Sequence, residues 1–307
     1  MSRTFGRREF FKAGAGLALA LGRPLGAFAA GGKGAPVVGV GSGDDFGKAA
    51  TRAVELLGGM KAFLPRGARV ALLPNVQSRH PGSFTKPEIL RAVIRLCREA
   101  GASEVNCLSW QTVKQWEDTG LKAVIEAEGA GLKIFAKDET LFRAVPVPGG
   151  LALKEARILA ALYDHDALVN MPVAKDHAGN KFTGSMKNLM GLNSPVSNRT
   201  FHRPNWLTDP EDVAHLDQCI VDLNKAVRPA LNIVDATEFI VTNGPFGPGE
   251  ILKPHKVVAG ADRVAVDAYC AALWGLKPED IVQIKRAADQ GLGRIAPGKR
   301  GLREARV

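Results

Sequence analysis

The residues best suited to chemistry lie in one segment of the 307-residue chain, from Val169 to Leu192. An apolar stretch, Ala167 to Met171, predicts a strand that leads into this segment, and a short helix is predicted near its end. Lys175 and Lys187 could stabilise a negative charge, and His177 could act as a metal ligand or a general base. Because ligands of open α/β sheets bind where strands end and helices begin, the segment predicts a functional site.

Polar side chains elsewhere in the chain extend this predicted site. The ligand-binding set that we predict consists of Asn75, Asn170, Asn188, His202, Asp235, Asn243 and Asp267. Lysines and amides suit an anionic group such as a carboxylate or a phosphate. Histidines and aspartates suit a divalent metal, for which His177 and Asp267 are the candidate ligands. A metal-bound anionic substrate would use both, so the sequence leaves the two ligand classes open.

Asp267 is the one acid in a helix predicted from Arg263 to Trp274, which is otherwise almost entirely apolar. A helix that is apolar all round is buried, and a buried carboxylate needs a cation, a metal or several hydrogen-bond donors. We therefore expect Asp267 to be buried and paired with Lys175 or Lys187. Asp262, just before the helix, is predicted to be its N-cap.

Two further segments leave alternatives open. The irregular loop from Arg199 to Pro210 is either a lid or wall over the site or an ordinary surface excursion. On a helix predicted from Asp212 to Val227, the residues His215, Cys219 and Asp222 follow one flank. Such a row could hold a metal, but the same arrangement also occurs as ordinary hydrogen bonding beside a core.

Apolar strands alternate with amphipathic helices along the first half of the chain. The run from Ala68 to Pro74 has no polar face, which is typical of a parallel strand covered on both sides. The alternation predicts an α/β fold with a doubly wound, mostly parallel sheet and helices on both faces. Between Phe142 and Leu162 the alternation breaks, and we expect an edge hairpin there. The predicted domain runs from 37 to 298, and a basic surface tail follows from 299 to 307.

Glycines occupy alternate positions from Gly39 to Gly43, before a helix predicted from Phe46 to Phe63. Their spacing does not match the dinucleotide-binding fingerprint, and Asp44 and Asp45 would repel a pyrophosphate. We interpret them as a flexible entry to the helix.

The N-terminus carries an export pattern. Arg7 and Arg8 precede Glu-Phe-Phe-Lys, which matches the twin-arginine motif, and the apolar run from Ala13 to Leu21 is too short to span a bilayer. Residues 1–30 are therefore predicted to be a twin-arginine signal peptide, followed by a linker at 31–36. The pattern predicts a periplasmic protein that meets the twin-arginine export machinery in folded form and has no membrane span after cleavage. An uncleaved anchor stays open.

Composition and missing motifs exclude several classes of function. The net charge of +10 includes no basic run interleaved with aromatic residues, so we expect no nucleic-acid partner. No pair of the four cysteines has Cys-x-x-Cys spacing, so we expect these side chains to bind no iron–sulfur cluster and to form no disulfide. The chain also lacks a Gly-x-Ser-x-Gly elbow for acyl transfer and a Walker-type loop for phosphate transfer.

Several of these motifs together resemble one known family. The segments are Asn170-Met171-Pro172 with Lys175 and His177, Thr183-Gly184, Met186 to Gly191, Asn232 to Asp235, Asn243-Gly244-Pro245, and Asp262 to Ala268. They closely resemble the hallmark of the domain-of-unknown-function family 362, from about Pro36 to about Pro297. Many members of that family carry ferredoxin-like cysteine clusters, which this chain lacks. The resemblance implies the family but no activity.

Two hypotheses of function follow. The first is an exported enzyme with a metal or organic cofactor, of redox type, in which His177 is a ligand or general base and Lys175 or Lys187 stabilises charge. The second is a non-catalytic periplasmic binding or maturation protein that carries a metal or a small anion to a partner. A bound metal with an open coordination position would favour the first, and a ligand that exchanges without chemistry would favour the second.

Overall fold

The computed structural model describes residues 38–298 and 301–307. The predicted signal peptide, 1–30, and the predicted linker, 31–36, lie outside the described residues. Within the described ranges, no helix is both long enough and apolar enough to cross a bilayer.

The described residues form one central sheet and three small two-stranded sheets. In chain order the strands are β1 (Val38–Ser42), β2 (Arg69–Pro74), β3 (Glu104–Ser109), β4 (Gly131–Ile134), β5 (Phe142–Pro146), β6 (Glu155–Leu159), β7 (Ala167–Met171), β8 (Lys175–His177), β9 (Lys181–Thr183), β10 (Leu231–Ala236), β11 (Phe239–Ile240), β12 (Ile251–Leu252), β13 (Lys256–Gly260) and β14 (Leu302–Arg306). The central sheet has the order β14-β1-β13-β10-β7-β2-β3-β4. Strand β13 runs antiparallel to both neighbours, and the other pairs are parallel. The predicted α/β fold with a mostly parallel sheet is confirmed.

Helices cover both faces of this sheet. In chain order they are α1 (Phe46–Glu55), α2 (Pro87–Glu99), α3 (Val113–Asp118), α4 (Leu121–Ala127), α5 (Ser185–Asn188), α6 (Pro195–Phe201), α7 (Pro210–Ala226), α8 (Arg263–Leu273) and α9 (Val282–Asp289). Buried apolar side chains of α1 to α4 pack in the core on one face, and those of α5 to α9 pack in the core on the other. The strands between them are apolar because both of their faces are covered.

The order of the strands reverses between β2 and β7. After β2 the chain adds β3 and β4 on one side, and it then returns to place β7 and β10 on the other side. At such a switch point the connections leave in opposite directions and open a crevice outside the carboxyl ends of the strands, which is where ligands bind in open α/β sheets. The hairpin of β8 and β9 and then helix α5 follow β7 directly, so the segment with the most chemistry begins at this crevice.

The predicted hairpin and the predicted basic tail differ in how far the structure agrees with them. The predicted hairpin is confirmed, since β5 and β6 pair antiparallel in a sheet of their own. The basic tail predicted at 299–307 is wrong as a segment outside the domain, because Leu302–Arg306 form β14 and pair in parallel with β1. Strand β1 offers an edge whose backbone groups need partners, and the partly buried Leu302 packs against the core.

Two predicted helices are shorter than expected. The helix predicted from Phe46 to Phe63 ends at Glu55, and a separate 3₁₀ turn follows. The side-chain pattern from Val113 to Glu128 is that of one continuous helix, but the helix is interrupted at Gly120, whose φ of 72° is left-handed. Side-chain periodicity does not show such a break, because the same face continues after it.

Gly39 and Gly41 let helix α1 pack against β1 at close range. A Cβ atom at Gly39 would lie 2.3 Å from the carbonyl oxygen of Ala53, and one at Gly41 would lie 2.0 Å from that of Ala49. The helix itself begins at a conventional cap, because the side chain of Asp45 accepts a backbone hydrogen bond in the first turn. These glycines therefore serve close packing, which corrects the interpretation as a flexible entry.

We predict that Gly41→Ala lowers the free energy of unfolding by about 1–3 kcal/mol, because the added methyl group overpacks the contact with α1. Gly47→Ala is the matched control, since its Cβ would have no neighbour closer than 3.4 Å and would favour the helix. Urea denaturation followed by tryptophan fluorescence measures both. Equal effects of the two substitutions would contradict the packing role.

Candidate functional site

A pocket with a volume of about 210 Å³ opens at the carboxyl ends of β2 and β3. Its polar lining consists of Asn75, Gln77, Ser109, Gln111, His177, Thr183, Lys187, Asn188, Asn198 and His202. Its larger apolar and aromatic side chains are Leu73, Trp110, Met190, Trp206 and Phe246. No aspartate or glutamate from the described part of the chain lines the pocket. The pocket is therefore an apolar cavity with amides and bases at its polar positions, which suits an anionic ligand.

Lys187 brings a buried amine to this pocket. The residue is 8% exposed, and its Nζ donates to the thioether sulfur of Met190 at 3.7 Å. A thioether is only a weak acceptor. Burial lowers the pKa of Lys187 to about 8, although the charge of Asp217 opposes this shift. The ammonium group thus lies in the site without a strong hydrogen-bond acceptor.

His177 and His202 form a cluster with Trp206. The ring centroids of His177 and Trp206 are 5.2 Å apart, and those of His202 and Trp206 are 4.8 Å apart. The Nδ1 of His202 donates to the carbonyl oxygen of Asn198 at 2.8 Å. The loop predicted as a lid, a wall or an excursion is therefore part of the pocket wall, because it contributes His202 and Trp206 to the lining.

His177 differs from His202 in its hydrogen bonding. Its Nδ1 is buried and has no partner among the residues that the structure describes. Burial, with the charge of Lys187 second, lowers the pKa of His177 far below its ordinary range. Burial likewise lowers the pKa of His202 to about 4. Both imidazoles are neutral at physiological pH, so the unpartnered nitrogen of His177 is available for a hydrogen bond with a ligand.

Four buried asparagines form a hydrogen-bonded chain beneath the pocket. The Nδ2 of Asn75 donates to Oδ1 of Asn188 at 3.0 Å, and Nδ2 of Asn188 donates to Oδ1 of Asn170 at 2.8 Å. The Nδ2 of Asn170 donates to Oδ1 of Asn232 at 2.9 Å. Asn75 and Asn188 line the pocket, whereas Asn170 does not. Three of the predicted ligand-binding asparagines, all but Asn243, are thus brought together, and Asn170 supports the other two from outside the pocket lining.

Lys175 is the first donor in this row of hydrogen bonds. Its side chain is completely buried, and its Nζ donates to Oδ1 of Asn75 at 3.2 Å and to the carbonyl oxygen of Ser83 at 2.7 Å. Burial, and to a lesser extent the charge of Lys187, lowers the pKa of Lys175 to about 7. Lys175 does not line the pocket. The structure therefore places Lys175 beside the pocket lining, where it orients the amide of Asn75, and its catalytic role stays a prediction.

Asp267 is buried, as predicted, but its predicted partner is wrong. Its carboxylate accepts hydrogen bonds from the backbone N–H groups of Ser185, at 2.6 Å, and Met186, at 3.0 Å, and from neither predicted lysine. It therefore caps the N-terminus of α5 from another helix. A Cβ at Gly184 would lie 2.5 Å from Asp267 Oδ1, so glycine permits this approach. Burial raises the pKa of Asp267 to about 6, against these two hydrogen bonds.

Two other predicted ligand-binding residues do not line the pocket. Asp235 is fully buried and accepts hydrogen bonds from the backbone N–H groups of Lys86 and Thr237. Asn243 is exposed, and its Nδ2 donates to the carbonyl oxygen of Pro248 at 3.1 Å. Both side chains stabilise loops near the carboxyl ends of the strands. The positions of Asp235 and Asn243 in the sequence correctly predicted that they lie near the carboxyl ends of the strands. They did not predict that both side chains bind loop backbone and stay outside the pocket lining.

The predicted metal ligands do not form a metal-binding group. Among the described residues, no three or more His, Cys, Asp or Glu side chains are arranged to hold a metal ion. Both carboxylate oxygens of Asp267 accept hydrogen bonds from backbone N–H groups. His177 lines the pocket, whereas Asp267 does not. On helix α7, Nε2 of His215 contacts Sγ of Cys219 at 3.3 Å, whereas Asp222 binds backbone N–H groups of another segment. This row therefore makes ordinary hydrogen bonds.

Among the residues that sequence reasoning missed are Trp110, in the pocket lining, and Asp217, whose charge acts on Lys187 from outside the lining. Trp110 follows β3 directly and lines the pocket, and its place at the end of an apolar strand was the available signal. Asp217 on α7 is 1% exposed, and its Oδ1 accepts a hydrogen bond from Asn180 at 3.1 Å. Burial raises the pKa of Asp217 to about 7, against that hydrogen bond and the charge of Lys187. No sequence signal marks Asp217, because the packing around α7 decides its burial.

Comparison with known proteins gives one matching family model and one protein of similar sequence. A family model described as "Domain of unknown function (DUF362)" matches residues 70–272. A thylakoid-associated protein of Synechocystis sp. is 27% identical over 251 residues, which cover 78% of this chain and 73% of that protein.

Two solved structures resemble the chain at low identity. The lactate racemase apoprotein from Thermoanaerobacterium thermosaccharolyticum is 14% identical, with a TM-score of 0.46 over 76% of this chain. A protein from Thermotoga maritima is 12% identical, with a TM-score of 0.48 over the same share. The matches cover only 56% and 60% of those two chains, respectively.

We predict that Asp267→Ala lowers the free energy of unfolding by about 1.5–3 kcal/mol, because it leaves the buried N–H groups of Ser185 and Met186 without an acceptor. The control is Asp289→Ala, which removes an exposed carboxylate paired with Lys285 and should change stability by less than about 0.5 kcal/mol. Denaturant unfolding of both variants provides the comparison. A similar small loss in the two would mean that Asp267 does not hold α5.

Proposed function

The chain belongs to the DUF362 family of domains of unknown function, and from its pocket we propose that it binds a small organic anion. In this proposal the carboxylate or phosphate of the ligand accepts a hydrogen bond from Lys187. Asn75 lies beside it in the pocket lining, and its Nδ2 keeps one N–H beyond the bond to Asn188. An anion at this position would thus meet one ammonium group and one oriented amide.

The observation that carries the proposal is the state of Lys187. A buried ammonium group is costly unless a negative charge or strong acceptors compensate for the water that it has lost. Lys187 has the Met190 sulfur as its hydrogen-bond acceptor. The charge of Asp217 offsets this cost only in part, because Asp217 makes no hydrogen bond to Lys187. An anionic ligand would supply a direct partner, and a cationic ligand would be repelled. The absence of Asp and Glu from the described pocket lining also favours a negatively charged ligand.

The walls of the pocket indicate the rest of the ligand. Trp110, Trp206 and Met190 present large apolar surfaces, and the apolar part of the lining exceeds the polar part. Small-molecule sites commonly combine such walls with a few polar groups that fix orientation. We therefore propose a ligand with a flat apolar body, held between these side chains, and one charged end near Lys187.

His177 supports an enzymatic role within this proposal. As a neutral imidazole with an unpartnered nitrogen, it can donate a hydrogen bond to a bound anion. A bound anion would also offset the charge of Lys187, which is the second cause of the lowered pKa of His177, and would so make the ring a better general base. Lys187 would then stabilise negative charge that develops during the reaction. An organic cofactor of redox type would be compatible with the apolar walls. The alternative is a binding or maturation protein that releases the anion unchanged, and product analysis after incubation distinguishes the two.

We propose in addition that the protein is exported to the periplasm by the twin-arginine route. The support is the paired Arg7-Arg8 followed by Phe10, Phe11 and Lys12, with a weakly apolar run behind it. Because this route moves folded proteins, a ligand acquired before export would travel with the protein.

We expect that replacing Arg7 and Arg8 together by lysine keeps the protein in the cytoplasm, because the export machinery reads the arginine pair. Arg3→Lys, upstream of the motif, is the control and should leave export unchanged. Immunoblots of periplasmic and cytoplasmic fractions measure the distribution. Periplasmic protein in equal amounts from both variants would refute the proposed route.

For the pocket itself, we predict that Lys187→Met weakens binding of aromatic carboxylates and phosphates by about 10- to 100-fold, because one charge-assisted hydrogen bond is lost. Lys61→Met removes an exposed lysine and the same charge, and it should leave affinity unchanged. Titration calorimetry with a panel of such anions measures the dissociation constants. Failure of the wild type to bind any of them, or equal binding by both variants, contradicts the proposal.

The pH dependence of binding gives the same experiment a second readout. Because the pKa of Lys187 is lowered to about 8, its ammonium form is present below that pH and is lost as pH rises through it. Affinity for a carboxylate should therefore fall above about pH 8, by about 10- to 100-fold in total as in Lys187→Met, rather than above the ordinary lysine pKa of about 10.4. Lys187→Met should remove this step, and a step that persists in the variant would assign it to another group.

A further inference from the structure

A second cavity adjoins the mouth of the pocket. It has a volume of about 260 Å³, and it shares Gln77 and Phe246 with the inner pocket. The side chain of Ser78 donates to the carbonyl oxygen of Phe246 at 2.6 Å, which fixes the loop that carries this ring. Phe246 is 55% exposed, although it is a large aromatic side chain. The shared residues make the two cavities neighbours, with Gln77 and Phe246 at the boundary between them.

The outer cavity has an arginine in its lining. Arg79 and His80 line it, and Arg79 is exposed. The acid in its lining, Asp118, already pairs with Lys114 at 2.7 Å. The carboxylate of Asp118 is thus compensated by Lys114, and the guanidinium of Arg79 adds a positive charge. An arginine presents a planar set of donors that matches a carboxylate or a phosphate.

Building on the proposed function, we propose that the natural ligand is an elongated organic anion with a negative group at each end. One group binds Lys187 in the inner pocket, and the second binds Arg79 in the outer cavity. The apolar body between them passes between Gln77 and Phe246, and the exposed ring of Phe246 stacks on it. This assigns Arg79 as a specificity residue, because a ligand with one charged end fills only the inner pocket.

The separate positions of Lys187 and Arg79 distinguish a site for a two-ended anion from a general attraction of anions to a basic protein. Lys187 lines the inner pocket and Arg79 lines the neighbouring outer cavity, so in this proposal the second charge contributes only when the body of the ligand is long enough to reach from one to the other. A dispersed positive charge would instead favour every dianion equally, whatever its length. The dependence of affinity on the length of the ligand is therefore the property to measure.

The experiment compares para-linked aromatic dicarboxylates of one ring, of two fused rings and of two joined rings with the matching monocarboxylates. Calorimetric titrations are made on the wild type, on Arg79→Gln and on Arg303→Gln, which removes an equal charge from an exposed residue of β14. We expect one length of dicarboxylate to bind the wild type about fivefold or more tightly than its monocarboxylate. Arg79→Gln should abolish that difference and leave monocarboxylate binding unchanged, and Arg303→Gln should change neither.

The outcomes separate the two proposals. Monocarboxylate binding that depends on Lys187, without any advantage of a dicarboxylate or any effect of Arg79→Gln, would overturn the second subsite and leave the proposed function intact. A loss of mono- and dicarboxylate binding by the same factor in Arg79→Gln would also overturn it. Absence of binding by every acid in the wild type would overturn both.

Discussion

The rest of the site depends on one hydrogen-bonded chain through the interior at the carboxyl ends of the strands. Lys175 donates to Asn75, and Asn75, Asn188 and Asn170 then donate in turn, each amide nitrogen to the next carbonyl oxygen, as far as Asn232. An ammonium group can only donate, so it fixes the direction of every amide that follows. The chain holds β2, β7, β10 and α5 together, because one reversed amide would leave two buried donors facing each other.

Helix α5 shows why such support is needed. It has four residues, and a helix of that length does not persist alone because its few hydrogen bonds do not compensate for nucleation. Asp267 binds its first two backbone N–H groups, Asn224 donates to the carbonyl oxygen of Met186, and Asn188 belongs to the asparagine chain. Tertiary contacts therefore hold the helix that places Lys187 in the pocket.

Acids and bases have separate places around the site. The buried carboxylates of Asp222, Asp235 and Asp267 each bind backbone N–H groups, and none of them lines the pocket. Such acids stabilise the turns and the helix end that shape the cavity. Lys187 and His177 are left to face a ligand, and the positive charge among the lining residues is that of Lys187, which Asp217 offsets in part from outside the lining. In the proposed function, the ligand provides the compensating negative charge.

The sequence by itself determined the alternation of strands and helices and the burial of Asp267, because both follow from the pattern of neighbouring side chains. It also selected Lys187 and His177, which do line the pocket. Only the tertiary structure decided that Asn170 and Lys175 lie one layer below the ligand, and that Asp267 binds backbone groups 82 residues away in the chain. Every residue except proline carries a backbone N–H, so no sequence pattern marks which of them a distant carboxylate will meet. The packing of elements far apart in the chain sets that contact, and it sets which side of each polar residue faces the pocket.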